Sequence, residues 1–297
     1  MPDLFPNATS IVFPNIASID IGSLSVILLV AKKENGNIKA LVQKVVVCKL
    51  GEDIATGEIS KEKIETLCRI LTEFRGIAHS LGAEIKAAAM TEAVRKAKNQ
   101  DEILQAAERV IWIKPRIING EEEAELSYKA VSKVYGQGIL SVDVGGGSTE
   151  LANGKNYLSI PVGALSLSKQ MGAIPGPEYK KWAKDFFKEI NFKPYAKRDT
   201  YFVGGTAVAL GMLAKNMQTF NAEALEGQCV FVADIESVII SLSNLSKELR
   251  NAMPGLEQGR GDIIICGLYW MRSLCEKLKI DSIKISTLGL RFGLLHD

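Results

Sequence analysis

Asp143-Val144-Gly145-Gly146-Gly147-Ser148-Thr149-Glu150 repeats, in elaborated form, the earlier stretch Asp20-Ile21-Gly22-Ser23, about half a chain away. Each follows an apolar run, Ala17 to Ile21 and Ile139 to Val144, and each precedes another, Ser25 to Ala31 and Ser148 to Ala152. Short apolar runs bounded by glycine read as buried strands. An aspartate leading a glycine turn between two such strands reads as a tight hairpin. One supersecondary unit is used twice. The pattern predicts an α/β fold of two lobes, residues 1–135 and 136–297, each built on its own hairpin.

Outward from the hairpins, Ile38 to Cys48 reads as a third strand of the first lobe, and Ser60 as the cap of a helix over roughly 61–82. Ile85 to Met90 is a buried strand, followed by a helix near 100–110, a strand at 111–118 and a helix near 121–135. After Tyr135-Gly136-Gln137-Gly138 the pattern restarts with the second hairpin and a strand from Tyr157 to Val162. A strand at 200–203, the turn Gly204-Gly205 and a helix from Thr206 come next. An apolar helix at about 260–278, a strand near 282–287 and a terminal helix from Leu288 complete the pattern. No low-complexity linker separates the lobes, so a short hinge is expected.

The bulk properties narrow the function. The 297 residues suffice for two modest lobes with real cores, and the net charge of +2 is too small for wholesale binding to nucleic acid or anionic membrane. Any polyanion site must be a local concentration of charge. Five cysteines, an odd number with no C-x-x-C pair, point to a reducing compartment, read as the cytoplasm. Prolines interrupt every apolar stretch of the first sixteen residues, which do not read as a signal peptide, and Asn7-Ala8-Thr9 is a glycosylation signal only in a secreted chain. The longest strongly apolar run, Ile263 to Met271, falls far short of the ~20 residues that span a bilayer. The two histidines, His79 beside a helical apolar stripe and His296 next to the end, offer no metal cluster or catalytic triad. Carboxylates must carry any acid–base work.

Gly145, Gly146 and Gly147 expose backbone N–H groups with no side chain in the way, the geometry that cradles phosphate oxygens, and Ser148 adds a hydroxyl. Asp143 and Glu150 flank that cradle and suit Mg2+ or another divalent cation, which is held by one or two carboxylates together with phosphate and water. Gly22 and Ser23 form a second phosphate loop on the facing lobe. Gly120-Glu121-Glu122-Glu123-Ala124 opens a helix, where acids favour the macrodipole; three in a row exceed that need, so one could serve as general base, and the residues alone do not say which. Arg95, after a buried strand, could clamp phosphate. Gly204-Gly205-Thr206 is a strand–helix junction open to close approach by a phosphate or nucleotide. Between Tyr179 and Arg198 lie six lysines besides Arg198 itself, against Asp185 and Glu189: a solvated face, or a guide for a long polyanion.

These pieces in this order resemble the exopolyphosphatase and guanosine pentaphosphate phosphatase (Ppx/GppA) family of the actin and hexokinase superfamily. The resemblance runs from IDIGSLS (19–25) through MTEAVRKA (90–97), INGEEEAELSY (118–128), VDVGGGSTEL (142–151) and PGLEQGRGDIIICG (254–267) to STLGLRFGLL (286–295). It implies two actin-like, ribonuclease H-like lobes around a central cleft and stepwise removal of terminal phosphate from polyphosphate or guanosine pentaphosphate. Glu123 is then the catalytic glutamate, Arg95 the arginine, Asp143 and Glu150 the magnesium-associated acids, and Gly22-Ser23 and Gly145 to Ser148 the phosphate loops. The chain is expected to match the family's short members, acting without DNA or membrane partners, with a homodimer compatible. Departures stand at Leu24, Ile27, Ser166, Glu226 and Phe292, where the family usually places asparagine, a basic residue, arginine, histidine and glutamate. Three readings stay open: an exopolyphosphatase, a guanosine pentaphosphate phosphatase, and a non-hydrolytic sensor of nucleotide or polyphosphate.

Overall fold

The computed structural model describes residues 13–52 and 54–296; the start of the chain and the Asn7-Ala8-Thr9 signal lie outside the described residues. The first sheet holds β1 (Asn15–Ile21), β2 (Ser25–Glu34), β3 (Asn37–Val47), β4 (Ala83–Met90) and β5 (Arg116–Ile117) in the order β3-β2-β1-β4-β5. β1 to β3 form an antiparallel meander, while β4 runs parallel to β1 and β5 parallel to β4. The second sheet holds β6 (Leu140–Val144), β7 (Thr149–Ala152), β8 (Tyr157–Ile160), β9 (Thr200–Val203), β10 (Cys229–Phe231) and β11 (Ser282–Ile285) in the order β10-β11-β9-β6-β7-β8. Here too the first three strands form a meander, the next runs parallel to the first, and β11 extends it in parallel. The repeat read in the sequence is therefore a repeat of topology, two ribonuclease H-like lobes in the actin-like arrangement, with β10 added at one edge.

Helices cover both sheets. In the first lobe, α1 (Lys61–Ser80), α2 (Glu92–Lys96) and α3 (Gln100–Ile111) close a core around Ile19, Leu28, Leu67, Leu71 and Phe74. α4 (Gly120–Tyr135) leads to the second lobe. There α5 (Ala164–Met171), α6 (Tyr179–Phe186), α7 (Gly204–Ala214), α8 (Ala222–Leu225), α9 (Val232–Ser243), α10 (Lys247–Asn251) and α11 (Ile264–Leu278) surround a core centred on Trp270. The indole N–H of Trp270 donates to Thr149 Oγ1 at 2.9 Å, which satisfies the one polar atom of that fully buried ring.

Two helices tie the lobes together. α4 lays Ala124, Tyr128 and Val131 against Ile139, Ala152 and Val203 of the second lobe. The terminal α12 (Leu290–Gly293) returns to the first sheet, where Phe292 and Leu295 pack on Leu29, Ala31 and Ala130. A Cβ on Gly293 would collide with the carbonyl of Leu126, so glycine is what lets α12 lie this close to α4. Phe292, in place of the expected glutamate, is core.

Several expected elements shift. The strand expected at 111–118 shrinks to Arg116–Ile117, because Trp112 adopts left-handed backbone (φ 62°) to end α3 and Pro115 can donate no ladder hydrogen bond. Gly204 and Gly205 are the first turn of α7 and not a turn before it, and the helix expected from about 260 begins at Ile264. α8, β10, α9 and α10, between the helix from Thr206 and the apolar helix near 260, are additional to the expected pattern.

Candidate active site

The two hairpins close in the same way. Gly22 N donates to Ser25 O at 2.9 Å and Gly145 N to Ser148 O at 3.0 Å. In both, a Cβ would stand 3.1 Å from that serine carbonyl, so a side chain would crowd each turn. The hairpins face one another across a cavity of about 80 Å3 lined by Gly22, Ser23, Gly145 to Ser148, Asp20, Thr91, Glu123, Asp143, Arg260 and Arg291. That is room for two or three waters at ~30 Å3 each, or for one small anion.

The lobes touch around this cavity. Leu24 packs against Ala164, Leu165 and Ile263 of the second lobe, and a side chain on Gly146 would strike it. Lys49 pairs with Asp262 at 2.8 Å, and Lys169 reaches Gly51 O at 2.8 Å. Glu92, buried at the first residue of α2, accepts from Ser23 Oγ at 3.1 Å and pairs with Lys96; a Cβ on Gly147 would fall on its carboxylate. The cleft is closed.

Of the three acids opening α4, only Glu123 is buried. Asn119 caps the helix by accepting from Glu122 N at 2.8 Å, Glu122 pairs with Arg116 at 2.9 Å, and Glu121 is exposed. Glu123 lies 3.6 Å from Arg95, and its Oε2, fully buried, has no hydrogen-bond partner. Arg95 donates to Ile118 O at 2.6 Å, so its guanidinium is held beside Glu123 and does not line the cavity.

Asp143 and Glu150 face each other in the β6–β7 register, which puts both side chains on one face of the sheet. Glu150 accepts from Ser159 Oγ at 2.7 Å. Asp20, the corresponding acid of the first hairpin, completes a quartet with Glu123. Burial, with Asp143 nearby, raises Asp20 to about 7, against the pull of Arg291. Burial lifts Asp143 to about 6, again against Arg291, and lifts Glu150 to about 8 with help from Asp143. Glu123 is also pushed up, first by burial and then by Glu150, Asp20 and Asp143, with Arg95 opposing. Four carboxylates thus share a poorly solvated site with Arg291 and Arg95, a deficit of two positive charges. Protons compensate part of that deficit; a divalent cation would compensate all of it. No three acid, histidine or cysteine side chains among the described residues converge closely enough to hold a metal unaided.

Sequence reasoning missed two buried cations in the cavity wall. Arg291 donates to Gln43 Oε1 at 2.9 and 2.6 Å and to Thr287 O, and is close enough to Asp20 and Asp143 for its charge to act on both. Arg260 is braced by Glu257 at 2.5 Å, and Gly205 leaves space for its guanidinium. Their sequence surroundings do not mark them: Arg260 lies between Gly259 and Gly261 in a polar stretch, and Arg291 between Leu290 and Phe292. Glu226, where histidine was expected, accepts from Ser286 Oγ, Thr287 N, Thr287 Oγ1 and Tyr135 Oη at 2.6–2.9 Å, fixing the turn that carries Arg291. Ser166, in place of arginine, accepts from Gly163 N at 2.8 Å and donates to Gly147 O at 3.1 Å; it braces the glycine loop from behind. Ile27 forms part of the wall between this cavity and a second one of about 320 Å3, lined also by Val45, Val208, Met212, Phe220 and Leu256.

Fold and site together define a two-lobed actin-like protein with an acid-lined, glycine-walled cavity between the lobes. The chain belongs to the Ppx/GppA phosphatase family, whose model matches residues 29–297. It is 26% identical to exopolyphosphatase 1 of Mycobacterium tuberculosis, over 93% of this chain and 86% of that protein. It is also 26% identical to a bifunctional 3-dehydroquinate synthase/phosphatase of Fusobacterium nucleatum, where 91% of this chain covers only 44% of the relative. Among solved structures, the Aquifex aeolicus member of the Ppx/GppA family superposes with a TM-score of 0.77 at 26% identity, over 95% of this chain and 96% of that one. An exopolyphosphatase from Cytophaga hutchinsonii, at 21% identity and a TM-score of 0.84 over 95% and 96% of the two chains, shares the fold.

Proposed function

We propose that this chain hydrolyses the terminal phosphoanhydride bond of inorganic polyphosphate. The observation that carries the reading is Glu123: a buried carboxylate whose Oε2 accepts no hydrogen bond and faces only the Arg95 guanidinium at 3.6 Å, at the edge of a cavity walled by two glycine hairpins. In this mechanism the loops Gly22-Ser23 and Gly145 to Ser148 grip the terminal phosphate through backbone N–H groups other than the two, Gly22 and Gly145, that close the hairpins: those of Ser23, Gly146 and Gly147, with the Ser148 hydroxyl. Arg291 and Arg260 balance its charge from the wall, and Arg95 orients Glu123. Glu123 accepts the proton of the attacking water, which requires it to be ionised in the substrate complex. Asp143 and Glu150 would hold Mg2+, whose chemistry is to neutralise the phosphate oxygens as charge develops. Positioning and electrostatics supply most of the acceleration in such transfers.

The boundary near residues 135 and 136 serves as the hinge by which the lobes open for substrate, and the enzyme works in the cytoplasm. No helix among the described residues is long and apolar enough to cross a membrane. A second reading, guanosine pentaphosphate as substrate, is favoured by the apolar cavity that adjoins the site through Gly204, Gly205, Arg260 and Arg291. Release of orthophosphate from long-chain polyphosphate and from guanosine pentaphosphate, each with Mg2+ or excess chelator, tests both. Mg2+-dependent release from polyphosphate is expected; release undiminished by chelation would remove the metal, and release from neither substrate would leave the sensor.

A further inference from the structure

The lysine-rich stretch after Tyr179 is not absorbed by the cleft. It folds as α6 and the turns that follow, against the C-terminal half of α11, and the two elements enclose two hollows. One, of about 400 Å3, is lined by Lys180, Lys184, Arg272 and Lys277 with Ser273 and Glu276. The other, of about 370 Å3, is lined by Lys193, Lys197, Lys277 and Lys279. Lys277 belongs to both, so the hollows meet along one groove. Seven cations and one carboxylate line it, in a chain whose net charge is only +2. Arg272 is offset by Glu236 and by Glu276 at 3.5 Å, and the neighbouring Asp185 is committed to Lys188 at 2.6 Å, so the excess charge rests on the six lysines. Among the described residues, the ammonium groups of Lys180, Lys184, Lys193, Lys197 and Lys279 have no hydrogen-bond or ion-pair partner. Packing this many like charges together costs stability unless an anion occupies the groove.

We propose that the groove is a second binding site, for the body of a linear polyphosphate chain. A nucleic acid is the other polyanion of suitable charge, and the groove lacks what single strands require: Phe187 and Phe192, the aromatic rings beneath it, are buried and offer no face for base stacking. α11 begins at the wall of the cleft and reaches Lys277 thirteen residues later, about 20 Å away at ~1.5 Å per residue. Only a chain long enough to extend well beyond its bound end engages both sites. The site's link to turnover rests on the polyphosphate reading above; binding itself does not.

The test compares the full chain with the triple variant Lys180→Ala/Lys184→Ala/Lys277→Ala, all three residues being exposed. Long-chain polyphosphate binding is measured in chelator across a range of salt, and steady-state hydrolysis of long-chain polyphosphate and of tripolyphosphate is measured with Mg2+. Three lost phosphate contacts should flatten the logarithmic salt dependence by about 2, at the ~0.7 per contact of flexible single strands, and weaken binding at least about tenfold near 0.1 M salt. The KM for long chains should rise, while tripolyphosphate kinetics stay unchanged. Unaltered long-chain binding, or an equal loss with tripolyphosphate, overturns the proposal. So does a single-stranded RNA of equal charge that binds as tightly and loses as much in the variant. A wild-type chain that binds polyphosphate through these lysines yet hydrolyses none would defeat the catalytic reading and leave the groove standing; a wild-type chain that hydrolyses it with kinetics the variant shares would do the reverse. A Lys33→Ala/Lys39→Ala variant on the first lobe controls for general charge loss.

Discussion

The acid quartet makes the stability of this protein fall as pH rises through the range where most proteins are flat, and Asp143→Asn should abolish much of that fall. Asp143 titrates near 3.8 when unfolded and at about 6 in the closed site. Between those values the unfolded chain has released a proton that the folded chain keeps. The unfolded state therefore binds fewer protons, and unfolding free energy declines with pH from about 4 to about 6, then levels for this group. Two pH units at ~1.36 kcal/mol each give a loss of about 3 kcal/mol from Asp143. Asp20, raised to about 7, and Glu150, raised to about 8, carry the decline further. Their losses add to less than the sum, because Asp143 is itself one cause of both shifts. Asparagine keeps the shape and removes the charge. In chelator, urea denaturation should find wild type and Asp143→Asn equally stable near pH 4, and the variant more stable by about 3 kcal/mol at pH 8, a midpoint shift of about 1 M or more. Adding Mg2+ at pH 8 should stabilise wild type more than the variant, since a ligand of the folded state contributes about 2.7 kcal/mol at a hundred times its Kd. Wild-type stability that rises between pH 4 and 7 would mean that these carboxylates are already satisfied as anions, and the electrostatic account of the site would fail.

Other substitutions separate the remaining roles. Glu123→Gln should lower turnover by about 10²–10⁴-fold with little change in substrate binding, whereas Glu121→Gln, on an exposed position, should change neither; equal small effects in steady-state kinetics would refute the choice of base. Gly147→Ala should impair substrate binding by forcing Glu92 away from the loop, and the penalty should shrink in a Glu92→Ala background. A double-mutant cycle on KM with no coupling between the two positions would show that this contact does not govern closure.

The hairpins were legible because their chemistry is local. An aspartate, a tight glycine turn and two flanking apolar strands leave little freedom, and the repetition announces the duplicated sheets. Glu123 was legible only through resemblance: consecutive helical residues point in directions about 100° apart, so one of three glutamates must face inward, but which one depends on how α4 meets both lobes. Arg260 and Arg291 were illegible for the same reason, since an arginine becomes a cavity wall only when distant acids and glycines fold around it. The strand expected at 111–118 failed locally, where the backbone at Trp112 and the missing N–H of Pro115 outweighed apolar patterning.

Leu24 and Ile27 flank the first hairpin, where the family usually places an amide and a basic residue, and sequence alone makes them a pair. The structure separates them. Leu24 is buried in the apolar contact between the lobes, against Ala164, Leu165 and Ile263, and its Cβ lies under Gly146. Leu24→Asn would remove most of that contact and bury an amide with no assigned partner; large-to-small changes of buried leucine cost about 2–5 kcal/mol, and the unpaired amide adds to it. Ile27 is half-buried and lines both cavities, so an arginine there can point into the cleft without displacing core. A charge-assisted hydrogen bond to phosphate contributes about 1.5–3 kcal/mol, or one to two decades of affinity. Ile27→Arg alone should therefore lower the KM for polyphosphate by about tenfold or more, with a small change in turnover and a melting temperature close to wild type. Combined with Leu24→Asn, the gain should be masked by a large fall in melting temperature. A well-folded Ile27→Arg protein with an unchanged KM would show that substrate phosphates do not pass this wall, and the apolar second cavity would then lie off their path.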